Sequence, residues 1–118
     1  MTKRPILIHA GIVTQGEGRG KTLGFPTANL PYKELDLSGT YAARAIIGGG
    51  IYRAAVYANP ARNLLEAHIL GLDMDLYGLR MVLELLEKVS ANEAFTDESA
   101  LKEHIATSVA KVEQYFKF

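Results

Sequence analysis

Short apolar segments bounded by glycine or proline recur along the chain up to residue 86 and predict β-strands. Three of them are rich in β-branched and aromatic residues and span residues 5–14, 40–47 and 51–58, and residues 65–72 continue the pattern. Gly48 to Gly50 would join the second and third as a tight hairpin, because glycine supplies the positive φ that short hairpin loops need. A fifth segment, residues 79–86, follows a Tyr77-Gly78 turn and fits a strand or a helix on periodicity alone.

Near the C-terminus the apolar positions recur at three- and four-residue steps, which predicts one amphipathic helix. These positions are Leu101, Ile105, Val109, Val112 and Phe116. Thr96 is the expected N-cap, with Asp97 and Glu98 in the first turn, where the helix dipole favours acids. Several antiparallel strands followed by one helix predict a mainly β fold, a small closed or half-closed barrel with the helix packed on it.

Composition favours one ordinary domain over residues 1–118, because 118 residues with 48% apolar content suffice for one hydrophobic core. Thirteen basic residues balance thirteen acidic ones, so no nucleic-acid or membrane partner is expected. The absence of cysteine excludes disulfides, thiolate metal sites and thiol catalysis. The apolar run Ile6-Leu7-Ile8 is too short for a signal peptide or a membrane span. We expect a cytoplasmic monomer.

The stretch GEGRGKTLGFPTAN, residues 16–29, carries the candidate chemistry and is typical of a phosphate site. A Walker P-loop would need glycine where Gln15 stands and a helix beginning at the Gly-Lys-Thr, which Gly24 and Pro26 prevent. A dinucleotide fingerprint fails because Lys21 takes the place of its third glycine. What remains is a flexible loop with Arg19 and Lys21 that runs into an extended Phe25-Pro26 corner.

Thr27 and Asn29, two positions apart, would face the same side of an extended segment. Two hard oxygen donors beside phosphates suit Mg²⁺, which takes few protein ligands and fills its shell with phosphate and water. The alternative is a mobile surface loop in which Asn29 only closes an Asx turn.

In order along the chain, these motifs resemble the riboflavin kinase (flavokinase) family. They are Gly11-x-Val13, Gly16-x-Gly18-Arg19-Gly20, Leu23 to Asn29 (LGFPTAN), Gly39-x-Tyr41-Ala42, Glu66 to Leu70 (EAHIL) and Asp75 to Gly78 (DLYG). The resemblance implies a six-stranded antiparallel Greek-key barrel with a C-terminal helix, and phosphate transfer from ATP to the 5′-hydroxyl of riboflavin, giving FMN and ADP. It resembles the kinase module of the bacterial bifunctional enzymes without the adenylyltransferase domain that they carry ahead of it.

The resemblance also implies roles for individual residues. Gly16, Gly18, Gly20 and Lys21, with Arg19 among them, would cover the nucleotide phosphates, and Thr27 and Asn29 would bind Mg²⁺ and phosphate. Glu66 occupies the position of the general base, although a strand glutamate is more often only solvent-facing. Tyr77 would offer an aromatic face near adenine or flavin, or else belong to the core, whereas Asp73 and Asp75 are interpreted as turn residues.

Two segments depart from the family pattern on the acceptor side. In the stretch 89–95, the family's arginine has become Ser90 and its glutamate Asn92, which leaves Ser90, Asn92, Glu93 and Phe95 as weak candidates for flavin contacts. The segment Asn59-Pro60-Ala61-Arg62 is shorter than the G-x-R-P-T-F expected there. Three hypotheses therefore remain: a riboflavin kinase, a kinase of the same mechanism for another hydroxyl acceptor, and a non-catalytic flavin- or nucleotide-binding module.

Overall fold

The computed structural model describes residues 4–15 and 24–117, and this part of the chain forms six β-strands followed by one α-helix. The strands are β1 (Leu7–Ile12), β2 (Ala28–Pro31), β3 (Gly39–Ile47), β4 (Gly50–Asn59), β5 (Leu64–Ile69) and β6 (Arg80–Ser90), and the helix is α1 (Glu98–Tyr115). The segment that fitted either a strand or a helix is strand β6. The mainly β fold with a C-terminal helix is thus confirmed.

All six strands are antiparallel and form one sheet in the order β1-β6-β3-β4-β5-β2. The two edge strands meet, because the Thr14 backbone N–H donates to the Asn29 carbonyl at 2.8 Å and His9 Nε2–H donates to the Pro31 carbonyl at 2.8 Å. A Cβ on Gly11 would lie 2.9 Å from Leu30 Cδ1, so glycine permits the close approach of β1 to β2. The sheet is therefore a nearly closed barrel.

Side chains alternate between the barrel interior and its outer surface along each strand. In β5, for example, Leu65, Ala67 and Ile69 are buried in the interior, whereas Glu66 and His68 lie on the outer surface. The interior is filled by leucines on β2, β5 and β6 facing many alanines on β3 and β4. Small residues of this kind suit the narrow interior of a six-stranded barrel.

Both predicted turns between strands are confirmed. Ile47 pairs with Gly50, so that Gly48 and Gly49 form a two-residue hairpin loop in which Gly48 has φ +60°. The later turn closes with a hydrogen bond from Leu79 N to the Leu76 carbonyl, and Gly78 within it has φ +83°.

Helix α1 covers part of the outer surface of the barrel. Its buried Val112 packs against Ala42 of β3 and Ala55 of β4. The predicted N-cap at Thr96 is wrong by one residue: Asp97 has extended backbone angles and its carboxylate accepts from Ser99 N, so it caps the helix. No helix in the described part of the chain is long and apolar enough to cross a membrane.

Candidate active site

Three polar side chains lie in a row on the outer surface of the barrel. Strand register places Glu66 of β5 opposite Asn29 of β2 on one side and opposite Tyr57 of β4 on the other. Directly opposed residues of antiparallel strands have neighbouring side chains on one face of the sheet. A carboxylate, an amide and a phenol are thereby brought together from three separate segments of the sequence.

This row lies in a cleft of about 840 Å³ between the barrel surface, the segment after β5 and the segment that connects β6 to α1. That volume is within the usual range of small-molecule sites. Polar residues from β2, β4 and β5 line it, and α1 contributes the apolar Leu101, Ile105 and Val109. The cleft therefore has both polar and apolar lining residues.

Glu66 is half-buried in this cleft, so it is not the freely solvent-facing strand glutamate of the alternative interpretation. Its Oε2 accepts a hydrogen bond from Asn59 Nδ2 at 3.2 Å. A carboxylate held in this way at a cleft wall has a defined orientation and can accept a proton from a bound hydroxyl group.

Asn29 is 6% exposed, and its Oδ1 has no hydrogen-bond partner among the described residues. A buried carbonyl oxygen without a partner costs about 1–3 kcal/mol, and such atoms are rare in native proteins. Its backbone is fixed, because the Asn29 carbonyl accepts from both the N–H and the Oγ1–H of Thr14. The side chain closes no Asx turn in the described structure. An amide oxygen whose lone pairs have no donor fits a bound cation as its partner.

Thr27 lies two residues before Asn29, is exposed and lines the cleft. Asn29 belongs to β2, Thr27 directly precedes this strand, and both residues line the cleft. The hydroxyl of Thr27 and the amide oxygen of Asn29 are hard oxygens on two residues that line one cleft, the donor chemistry that Mg²⁺ prefers. In the described part of the chain, no group of three His, Asp or Glu side chains forms a competing metal site.

The glycine-rich residues Gly16, Gly18, Arg19, Gly20 and Lys21 lie outside the described residues. The described residues on either side of them, Gln15 and Phe25, both line the cleft. His68 fixes the segment that contains Phe25 and Pro26. Its Nδ1–H donates to the Pro26 carbonyl at 2.9 Å, and its ring packs edge to face with the Phe25 ring. His68 is therefore a hydrogen-bonding and packing residue.

Tyr57 connects the barrel to the segment after β6. Its hydroxyl donates to Asn92 Oδ1 at 2.7 Å. Burial, and in second place the negative charge of Glu66, raise the pKa of Tyr57 above its ordinary value. The phenol is therefore a stable hydrogen-bond donor at neutral pH, and Asn92 is held at the cleft wall.

Three of the four candidates for flavin contacts line the cleft, and one does not. Asn92, Glu93 and Phe95 are cleft residues, and the Phe95 ring packs 5.0 Å from that of His104 on α1. Ser90 is buried, with its hydroxyl 2.9 Å from that of Ser108 on α1. Ser90, at the end of β6, faces the helix and does not line the cleft, so the flavin contact expected at this position stays a prediction without support from the cleft.

The segment after β5 forms one rim of the cleft. Tyr77 is 60% exposed and lines the cleft, so the alternative of a core tyrosine is wrong. Asp75 Oδ1 accepts from Tyr77 N, which confirms Asp75 as a turn residue. The neighbouring Leu76 is buried and anchors this rim to the barrel.

Sequence reasoning missed the roles of Tyr57 and Asn59. Alternation along β4 places Tyr57 and Asn59 on the outer face, since Val56 and Ala58 are buried in the interior. That alternation was readable in the sequence. Their hydrogen bonds to Asn92 and Glu66 were not, because they depend on strand register and on the path of the segment after β6.

Fold and cleft together define a β-barrel protein with a carboxylate and a buried amide oxygen side by side in a small-molecule cleft. A family model described as flavokinase, riboflavin kinase, matches residues 3–116. The chain belongs to the riboflavin kinase family, a family of phosphotransferases.

Relatives of known name agree with this assignment. The bifunctional riboflavin kinase/FMN adenylyltransferase of Escherichia coli (strain K12) is 31% identical over 116 residues, which cover 91% of this chain and 37% of that protein. The protein of the same name from Bacillus subtilis (strain 168) is 25% identical over 118 residues, covering 90% of this chain and 37% of that protein. The chain thus spans little more than a third of the length of these relatives.

A solved structure supports the fold. The crystal structure of a macrolide-efflux protein from Streptococcus pneumoniae matches with a TM-score of 0.78 and 24% identity, over 92% of this chain and 38% of that one. At this identity the likeness extends to the barrel fold alone.

Proposed function

We propose that this chain is an ATP:riboflavin 5′-phosphotransferase that produces FMN and ADP, with residues 1–118 forming one kinase module. The observation that carries the proposal is the pairing of Glu66 with Asn29 across β5 and β2, inside a cleft of small-molecule size. A base for a hydroxyl and an unpartnered oxygen for a cation are the two protein groups that phosphoryl transfer most needs.

In the proposed reaction, Glu66 accepts the proton of the riboflavin 5′-hydroxyl. The hydroxyl oxygen then forms a bond to the γ-phosphorus of ATP, and the bond from that phosphorus to the β,γ-bridging oxygen breaks, releasing ADP. The pairing of β5 with two neighbouring strands fixes the backbone of Glu66, and its half-buried site limits competing water.

The nucleotide side of the cleft would be formed by β2 and the residues before it. Thr27 Oγ1 and Asn29 Oδ1 would hold Mg²⁺, which when bound neutralises charge on the nucleotide phosphates. Gly16, Gly18, Arg19, Gly20 and Lys21 would cover those phosphates, and Tyr77 would contact the nucleotide from the opposite rim.

The acceptor side would be formed by the segment after β6 together with α1. The Phe95 and His104 rings and the apolar residues of α1 offer flat, apolar contacts to an aromatic ring system, with Asn92 and Glu93 as polar neighbours. This wall suits an isoalloxazine ring whose ribityl chain extends toward Glu66.

The test is FMN formation from riboflavin and Mg-ATP by the purified chain, followed by chromatography with fluorescence detection. Glu66→Gln should lower turnover by about 10²–10⁴-fold while ATP binding is retained, because the base is lost and the nucleotide contacts stay. Glu113→Gln, at an exposed helix position outside the cleft, is the matched control. Full activity of the Glu66 variant would exclude Glu66 as the base.

A second candidate is a kinase with the same mechanism for a different hydroxyl acceptor. Two observations on the acceptor side favour it. The Ser90 hydroxyl is engaged with Ser108 of the helix, and the Asn92 side chain is engaged with the Tyr57 hydroxyl. ATP consumption with flavin analogues or other small alcohols, in the absence of FMN formation, would support this candidate. Ligand binding without turnover under saturating Mg-ATP would instead indicate a binding module.

A further inference from the structure

We infer that Asn59 is a positioning residue for Glu66, and that its side-chain amide orients the carboxylate for proton transfer. The inference rests on the proposed function and extends it to a residue outside the motifs that carry the resemblance. Its basis is the hydrogen bond from Asn59 Nδ2 to Glu66 Oε2 at 3.2 Å.

Strand geometry places Asn59 beside Glu66. Glu66 is directly opposite Tyr57, and Asn59 follows Tyr57 by two residues on the same face of β4. Diagonal neighbours of this kind are within reach of longer side chains on antiparallel strands. Tyr57 itself donates to Asn92, so the direct neighbour of Glu66 is engaged with the acceptor wall, and the diagonal neighbour holds the carboxylate.

The turn after β4 keeps Asn59 in place. Arg62 N donates to the Asn59 carbonyl at 3.3 Å, which closes a four-residue turn with Pro60 at its second position. Asparagine at the first position and proline at the second are favoured in such turns, because proline already has the φ that the position requires. The short turn that departs from the family pattern is therefore a fixed support for the Asn59 side chain.

This hydrogen bond restricts the Glu66 side chain, which has three rotatable bonds. Asn59 engages Oε2, which leaves Oε1 to accept the proton of a bound hydroxyl. Because an amide carries no charge, it orients the carboxylate without adding a cation that would pair with it. Loss of the donor would let Glu66 sample other rotamers, and small misplacements of a catalytic group cost up to about 10²-fold in rate.

The test compares Asn59→Asp with Asn63→Asp, at the other end of the connection between β4 and β5. Aspartate is nearly isosteric with asparagine and suits the first position of the turn, so the fold is retained. At position 59 it removes the donor and adds a like charge beside Glu66. At position 63 it preserves the acceptor that bonds Leu35 N, and aspartate tolerates the φ of +52° there.

Asn59→Asp should lower kcat for FMN formation by about 10–100-fold with the KM values for ATP and riboflavin within about twofold of wild type. Asn63→Asp should keep both parameters within about twofold of wild type. In a Glu66→Gln background, Asn59→Asp should cause no further loss, because the carboxylate that it orients is gone. Equal kcat for the two asparagine variants, or additive losses in the double variant, would overturn the inference.

A second readout does not depend on activity. The Asn59 side-chain NH₂ resonance, identified as the one lost in Asn59→Asp, should shift in Glu66→Gln and stay in place in Asn63→Asp. An unmoved resonance in Glu66→Gln would overturn the inference whatever the kinetics. Failure of the proposed function is visible separately, because the wild-type chain would then form no FMN while this resonance still reports the contact.

Discussion

At the scale of single residues, the site depends on polar atoms that strand register brings together. Asn29 and Glu66 were predicted as site residues from motif and resemblance, and the register places them opposite each other. The roles of Asn59 and Tyr57 could not be predicted, because their hydrogen bonds to Glu66 and Asn92 depend on strand register and on the path of the segment after β6. The contact between the Ser90 and Ser108 hydroxyls could not be predicted either, since it depends on how the helix packs on the barrel.

Tyr57 leads to a prediction on alkaline stability. Its pKa is raised in the folded protein by burial and by the charge of Glu66, so above the ordinary tyrosine pKa of 10.0 the folded state binds more protons than the unfolded chain. The stability from this shift is fully present below that value and is lost as pH rises through it toward the folded pKa. Tyr57→Phe should therefore lose less stability between about pH 9 and about pH 11 than wild type does.

Urea unfolding midpoints of both proteins across this pH range measure the difference. Tyr57→Phe should still lose some stability at alkaline pH, because burial and the charge of Asp36 also raise the pKa of Tyr41. Identical pH dependence in the two proteins would show that the Tyr57 hydroxyl is not in the environment described.

At the scale of elements, the start of β3 depends on one glycine. Gly39 has φ +95°, and a Cβ there would lie 2.5 Å from the backbone carbonyl oxygen of Ser90 on β6. A backbone atom in a paired strand cannot move aside as a side chain can. Gly39→Ala should therefore cost about 2–4 kcal/mol in the free energy of unfolding, from left-handed strain and overpacking together.

Gly49→Ala is the matched control for this change, because an added Cβ there meets nothing within 4 Å and Gly49 has no positive φ. It should change stability by less than about 1 kcal/mol. Denaturant titrations of the two variants and wild type decide the matter, and similar losses at both positions would contradict the steric explanation.

The start of α1 gives a second prediction at this scale. Thr96 and Asp97 are both good capping residues, so the sequence pattern alone left the start of the helix uncertain by one residue. The structure has Asp97 accepting from Ser99 N at 3.0 Å. Asp97→Ala should cost about 1 kcal/mol, whereas Thr96→Ala should stay within about 0.5 kcal/mol. A larger thermal or denaturant effect at Thr96 would instead support the N-cap expected from the sequence.

At the scale of the whole molecule, barrel closure and the site are one structure. One of the contacts that close the barrel between β1 and β2 is the bridge between Thr14 and Asn29, so the residue with the unpartnered oxygen lies at the seam of the barrel. Alternation and turn residues predicted most of the strands, and the resemblance predicted their number and closure. The strand order could not follow from pattern alone, because pairings such as β3 with β6 join segments far apart in the sequence.

Metal dependence of thermal stability is the prediction for the molecule as a whole. A ligand that binds only the folded state stabilises it by about 2.7 kcal/mol at one hundred times its Kd, so ATP with Mg²⁺ should raise the Tm more than ATP with a chelator does.

Thr27→Val removes one of the two proposed oxygen ligands at an exposed position, where folding is unaffected. If this weakens binding about tenfold, about 1.4 kcal/mol of the Mg²⁺-dependent stabilisation is lost. Thr96→Val is the control, since Thr96 is exposed and lies outside the cleft. Equal Mg²⁺-dependent Tm shifts in the two variants would show that Thr27 is not a ligand, and would leave Asn29 alone as the candidate at the seam.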